Sequence, residues 1–380
     1  MPPQWNASCN KLFQTNTMLE LITDWSSLTR GVIALLLAFT ATLMIGNKLI
    51  LKLISMKLGQ PVRSKEEVNE LFDLHGKKAG TPTMGGVMIL ATLVIAVLLA
   101  GDLTNPYIHI TLFVLIALGL LGFKDDYAKI SEGNSKGVSS KFKLVWQFGV
   151  ALIATLAILY TPDMYGCEGA VSSELTEHEP WGLYIPGFDT SFSLGWLAVP
   201  FGIVVIIGAS NAVNLTDGLD GLASGCTITT CLSYTLIATV AGLVGIADTA
   251  SSELAVLTLA MTGAVAGFLW FNAYPARVFM GDTGSLAIGG AIGVIALATK
   301  QELLLVVIGL VFVVEAMSVM AQVFYFKYTK KKYGAGRRLL KCAPIHHHFE
   351  LSGWKETQVI TRFWIISGLC AGLGLAILFI

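Results

Sequence analysis

The chain has 380 residues, 54% of them hydrophobic and only 13% charged, with a mean hydropathy of +0.70 and no net charge. Those values exclude a soluble globular enzyme and describe an integral membrane protein. The charge balance invites no nucleic-acid partner, and six scattered cysteines without a CxxC pair indicate neither a disulfide framework nor a zinc site.

In chain order, apolar runs read as transmembrane helices at 28–54, 83–100, 107–123, 142–160, 194–211, 219–244, 254–271, 284–299, 303–326 and 359–379. The expected fold class is therefore all-α, a single polytopic membrane domain over 1–380 with about ten spans. An even number of spans puts both termini on one side. Loops 101–106, 161–193 and 245–253 hold no Lys or Arg, whereas 55–82, 124–141, 272–283 and 327–358, with their helix ends, hold nearly all of them. The positive-inside rule makes the basic set cytoplasmic and both termini extracytoplasmic. Segment 161–193, with Pro162, Pro180 and Pro186, reads as a small outer hairpin or interfacial cap.

Charges inside such a chain need a reason. On insertion scales one at the bilayer centre costs roughly 2.5–3.5 kcal/mol. Glu315 falls in the middle of the run 303–326, with Gln322 two helical turns on and on the same face. A structural hydrogen bond and a place lining a cavity are both open to it.

The densest polar stretch is 211–223, Asn-Ala-Val-Asn-Leu-Thr-Asp-Gly-Leu-Asp-Gly-Leu-Ala, between two apolar runs. Asn214, Asp217 and Asp220 recur every three residues and would share one face if the turn were helical. Gly218 and Gly221 would let backbone approach a ligand. A bland N-cap with interfacial carboxylates would explain one such aspartate but not the set, because other acidic loops fall on the same side. Asp125 and Asp126 follow the third run, and Asn272 to Asp282 follow the seventh.

Three acidic loops at one face would repel unless a cation held them. Oxygen ligands without cysteine suit Mg²⁺, which keeps waters and bridges substrate phosphates. Cations surround them: Lys78 before the 80–86 stretch, Lys129 three residues after Asp126, then Lys141 and Lys143, and the basic run 330–341 before His346, His347 and His348. Carboxylates, a metal and Lys/Arg together bind and cleave a diphosphate. Three adjacent histidines cannot all face one ion, so phosphate or sugar binding fits them better than zinc. Phe279 could stack on a flat base, and a helix start after Gly284 could offer N–H groups to an anion.

Five stretches carry a resemblance. They are 211–223, the Trp270–Ala276 and Val278–Ser285 segments, Gly80–Gly86, Asp125–Lys129, and the histidine triplet in its Ala343–Glu350 setting. Together the chain resembles the phospho-N-acetylmuramoyl-pentapeptide transferases, within the polyprenyl-phosphate N-acetylhexosamine-1-phosphate transferases. The resemblance implies transfer of phospho-N-acetylmuramoyl-pentapeptide from UDP to undecaprenyl phosphate with release of UMP. It implies a Mg²⁺-dependent enzyme of peptidoglycan synthesis in the bacterial cytoplasmic (inner) membrane, active on the cytoplasmic face. The related alternative moves N-acetylglucosamine-1-phosphate.

By motif match the catalytic residues would be Asp125, Asp126 and Asp282, with Asp282 the metal ligand and Asp125 the suspected base. Substrate contacts would be Lys78, Thr83, Lys129, Lys141, Asn214, Asp217, Asp220, Asn272, Phe279, Gln322, His346, His347 and His348. The partners implied are the UDP-linked donor, undecaprenyl phosphate and the lipid bilayer, with a homodimer among the assemblies open to it.

Overall fold

The computed structural model describes residues 25–56, 80–131, 137–161, 182–188, 190–243 and 249–378. Its helices are α1 (Trp25–Ser55), α2 (Gly86–Ala100), α3 (Pro106–Ser131), α4 (Ser140–Leu159), α5 (Ala198–Thr216), α6 (Leu222–Leu243), α7 (Thr249–Asn272), α8 (Gly281–Ala298), α9 (Glu302–Ile308), α10 (Leu310–Tyr333), α11 (Ile345–Glu350) and α12 (Glu356–Leu378). Among the described residues nine helical segments are long and apolar enough to cross a membrane, and α2 is a shorter apolar helix. The chain is an all-α multi-pass membrane protein.

One predicted span is two helices. The run 303–326 breaks at Gly309, where α9 ends and α10 begins. Gly309 donates its N–H to Leu305 O, so the chain closes one turn before starting the next. Apolar residues flank the break on both sides, so hydropathy alone runs through it. α10 then continues to Tyr333, with Lys330, Lys331 and Lys332 in its last turn beside the exposed C=O groups.

Within the segment 161–193 lies a hairpin of β1 (Gly182–Ile185) and β2 (Thr190–Ser193), paired antiparallel with Gly182 opposite Ser193. Near the start of α1, Arg30 is ion-paired with Glu253 of α7, whose Oε2 also accepts the Asp102 N–H at 2.8 Å. That pairing ties three elements together where a lone carboxylate would be costly.

The centre of the bundle is α8. Every residue from Thr283 to Ala298 is buried. Its composition explains this, because glycine and alanine let neighbouring backbones come close, and dispersion over those contacts drives helix association in lipid. A side chain at Gly289 would meet Ala209 O at 2.5 Å, and one at Gly293 would meet Ile206 Cα at 2.8 Å, both on α5. α8 thus lies against α5 on one side. At its first turn the backbone of Asp282 presses on Gly122 of α3, and Gly284 presses on Gly86. These contacts bring three distant stretches of sequence to one helix end.

Candidate active site

The site forms around the first turn of α8. Gly281 opens the helix with φ +73°, a left-handed conformation that favours glycine. A side chain there would also run into Thr83 Oγ1 at 2.8 Å and Asp126 Oδ2 at 2.5 Å. The segment before it is stitched to the 80–86 stretch. Phe279 N–H donates to Pro82 O (2.8 Å), Gly85 N–H to Phe279 O (2.8 Å) and Gly86 N–H to Met280 O (2.9 Å).

Asp126 caps α8 from another helix. Its Oδ1 accepts the Asp282 N–H (3.1 Å), and its Oδ2 accepts the Thr283 N–H (3.0 Å) and hydroxyl (2.7 Å). The residue before Gly281, Met280, offers no side-chain cap. A buried carboxylate at a helix N-terminus is stabilised by the orphan N–H groups and the helix dipole. The helix therefore starts at Gly281 rather than after Gly284, and its first N–H groups bind an internal anion.

Asp125, one residue earlier on α3, turns to two lysines. Its Oδ2 lies 2.7 Å from Lys129 Nζ and 2.8 Å from Lys143 Nζ, and its Oδ1 accepts the Val138 N–H at 2.8 Å. Asp282 meets the same ammonium groups, with its Oδ2 at 3.2 Å from Lys129 and 2.9 Å from Lys143. Its Oδ1 accepts from Asn214 Nδ2 (2.9 Å), and that amide also donates to Ser285 Oγ (2.8 Å). One ligand oxygen from each of Asp125, Asp126 and Asp282 falls within 4.8 Å of the others, a spacing that could hold a metal ion. The donors are oxygen only, the chemistry of a hard cation.

Asp217 completes the acidic group. It is half-buried, and its carboxyl is raised well above its ordinary 3.8 by burial first and then by the negative charge of Asp282, against a hydrogen bond from the Gly281 backbone. Asn214 and Asp217 thus converge on the α8 start. Asp220 does not share their face, because α5 ends at Thr216 and Gly221 takes φ +78°. Asp220 instead accepts the Ala276 N–H at 2.9 Å, while its own N–H donates to Glu356. Asn272 is likewise committed, donating to Val278 O and accepting from Ser224 Oγ. These two side chains brace the 273–278 turn that delivers half-buried Phe279.

Gln322 and the histidines belong to a second group. Gln322 Oε1 accepts the N–H groups of Leu339 and Leu340, both at 2.9 Å, and folds that segment back onto α10. His346 is fully buried, whereas His347 and His348 are partly exposed. Lys141 is exposed and lies outside the ion-pair cluster of the described residues. Lys78 lies outside the described residues.

Lys143 is the cluster member that motif reasoning left without a role. Its signal is a helical period. The buried face of α4 runs Gln147, Ala151, Ala154, Ile158, and one turn back from Gln147 is Lys143, not Lys141.

Residues 107–300 match the description glycosyl transferase family 4, and residues 78–90 match signature 1 of the phospho-N-acetylmuramoyl-pentapeptide-transferases. The chain is similar to the phospho-N-acetylmuramoyl-pentapeptide-transferase of Methylacidiphilum infernorum, 43% identical over 340 residues that make up 88% of each chain. It is 44% identical over 358 residues to the protein of that name from Rickettsia bellii, covering 91% of this chain and 92% of the relative.

Proposed function

Because the chain belongs to the phospho-N-acetylmuramoyl-pentapeptide-transferase family, we propose that it moves phospho-N-acetylmuramoyl-pentapeptide from UDP to undecaprenyl phosphate. UMP is released, and the reaction is the first membrane step of peptidoglycan synthesis. The observation that carries this is the meeting of Asp125, Asp126 and Asp282 with Lys129 and Lys143 at one helix start. That end of the bundle also carries most of the basic residues, which supports a cytoplasmic site in a bacterial inner membrane.

Chemically, an oxygen of the lipid phosphate attacks the β-phosphorus of the donor. The bond from that phosphorus to the bridging oxygen breaks, and the electron pair leaves with UMP. Little covalent help is needed, so positioning and charge stabilisation dominate. Lys129 and Lys143 each touch two carboxylates and are held ready to contact diphosphate oxygens. Asp126 has both oxygens engaged by the start of α8, so its part is to hold Asp282 in place. Asp125, paired with both lysines beside Asp282, is the residue this reading assigns to take a proton from the lipid phosphate or fix its geometry.

The all-oxygen donor set fits Mg²⁺, with Asp282 as its ligand and Asp125 alongside. Such an ion supplies charge neutralisation at the diphosphate. Phe279, Asn214 and Asp217, with Lys78 and Thr83, line the nucleoside side in this reading. His347 adds a contact from the short helix α11.

The test is UMP release by purified protein given the UDP-muramoyl-pentapeptide, undecaprenyl phosphate and Mg²⁺. Release is expected to need all three and to vanish in Asp282→Asn. Equal turnover with UDP-N-acetylglucosamine as donor would overturn the assignment of substrate.

A further inference from the structure

The histidine triplet is three different side chains on one short helix. His346 Nδ1 lies 3.1 Å from Oε2 of Glu315, and both side chains are fully buried. Its ring fills the space where a side chain at Gly218 would be, next to Asp217. His346 thus packs α11 beneath the turn after α5, beside the buried carboxylate of Glu315.

His348 Nδ1 accepts the Lys341 N–H at 3.2 Å. A backbone N–H only donates, so a neutral His348 carries its proton on Nε2. His347 is the reverse. Its Nδ1 lies 2.8 Å from Oε2 of Glu350, one turn along the helix, whose side chain is 4% exposed. An ionised carboxylate only accepts, so His347 carries its proton on Nδ1, and Nε2 is the acceptor nitrogen of the neutral ring. The two neighbouring imidazoles are held in opposite tautomers. Phe349 fixes the helix from the other side, stacked on Trp354 with ring centroids 4.5 Å apart and edge-on to Phe363.

We propose that Glu350 is a positioning residue for the nucleotide-linked substrate. It fixes the tautomer and the ring plane of His347, so that Nε2 of that ring is the nitrogen the substrate meets. The inference rests on the transferase reading above. His347 is the ring for this task because His346 is fully buried against Gly218 and Glu315. A nearly buried carboxylate behind a partly exposed imidazole is the arrangement that orients a histidine toward a ligand.

Steady-state kinetics in Mg²⁺ with both substrates test this. Glu350→Ala is expected to raise KM for the UDP-linked donor about tenfold, the lower end of the loss when the partner behind a working histidine is removed. Its kcat stays within about threefold, and KM for undecaprenyl phosphate within about twofold. Glu350→Gln keeps an acceptor and restores donor KM to within about threefold of wild type. In a His347→Ala background, Glu350→Ala adds no further loss. Nitrogen NMR of histidine-labelled protein should show His347 protonated at Nδ1, its signal identified by its loss in His347→Gln.

The proposal is overturned if Glu350→Ala lowers kcat at constant donor KM, if the two alanine changes multiply, or if His347 is protonated only at Nε2. Glu350→Gln and the NMR experiment serve where the alanine variant does not fold. The failures are separable. A wild-type protein that releases no UMP overturns the transferase reading and this inference with it, while an active wild type matched by Glu350→Ala overturns the inference alone.

Discussion

Replacing Lys143 with methionine removes one ammonium from a cluster of three carboxylates and leaves the aliphatic stem. Lys143 Nζ lies 2.8 Å from Asp125 and 2.9 Å from Asp282, and its side chain is 26% exposed. At an effective dielectric of about 20, each such contact amounts to about 5–6 kcal/mol before desolvation is counted. Desolvation, screening and the remaining Lys129 offset most of this, leaving on the order of 2–4 kcal/mol. If that cation acts on the diphosphate in the transition state, kcat falls about 30- to 1,000-fold. Lys143→Arg, which keeps the charge but not the shape, falls between. Lys141→Met, two residues away and exposed, changes kcat by less than about threefold. The assay is UMP release at saturating Mg²⁺ and both substrates, with thermal unfolding as a control for folding. A Lys143→Met enzyme within about threefold of wild type would refute the reasoning.

Other outcomes follow from the same geometry. Asp126→Ala leaves three donors of the α8 start without their acceptor and should cost about 2 kcal/mol, the upper end for a lost cap, seen as a lower melting temperature together with lost activity. Asp217→Asn should stabilise the metal-free protein while abolishing turnover. The Asp217 carboxyl is raised in the folded state, so its stabilising share is complete below 3.8 and is lost as pH rises through the folded value. The asparagine variant should therefore melt higher than wild type at neutral pH, with the gap closing in acid. Gly122→Ala drives a methyl into the Asp282 backbone and should cost about 1–3 kcal/mol with loss of activity, whereas Gly119→Ala meets only the flexible end of Leu90 and should do less. Glu253→Ala should lower the melting temperature by several degrees, on the order of 1–2 kcal/mol, and leave kcat nearly constant, since the Arg30 pair lies at the other end of the bundle.

Much of this was legible in the sequence for a simple reason. Apolar runs mark the spans, and carboxylates at membrane helix ends are too costly to be incidental. Asp125, Asp126, Asp217 and Asp282 met because each was such a cost. What hydropathy could not carry was geometry within a run. The break at Gly309 sits in unbroken apolar sequence, and one glycine is a weak signal there. Nor could spacing say which partner a polar side chain takes. Asp220, Asn272 and Gln322 bond to backbone at Ala276, Val278, Leu339 and Leu340. Nor could spacing show that Asp126 also caps α8, because its acceptors face N–H groups 156 and 157 residues along the chain. Lys143 was distinguishable from Lys141 only by extending the buried face of α4 back one turn.

The central claim is that Asp282, with Asp125 alongside and Asp126 holding the α8 start in place, binds a divalent ion against a diphosphate. Electron paramagnetic resonance of Mn²⁺ titrated into the protein in place of Mg²⁺, with UMP present, measures it directly. One ion per chain should bind in the wild type and be lost in Asp282→Asn. Undiminished Mn²⁺ binding in that variant, or none in the wild type, would contradict the claim.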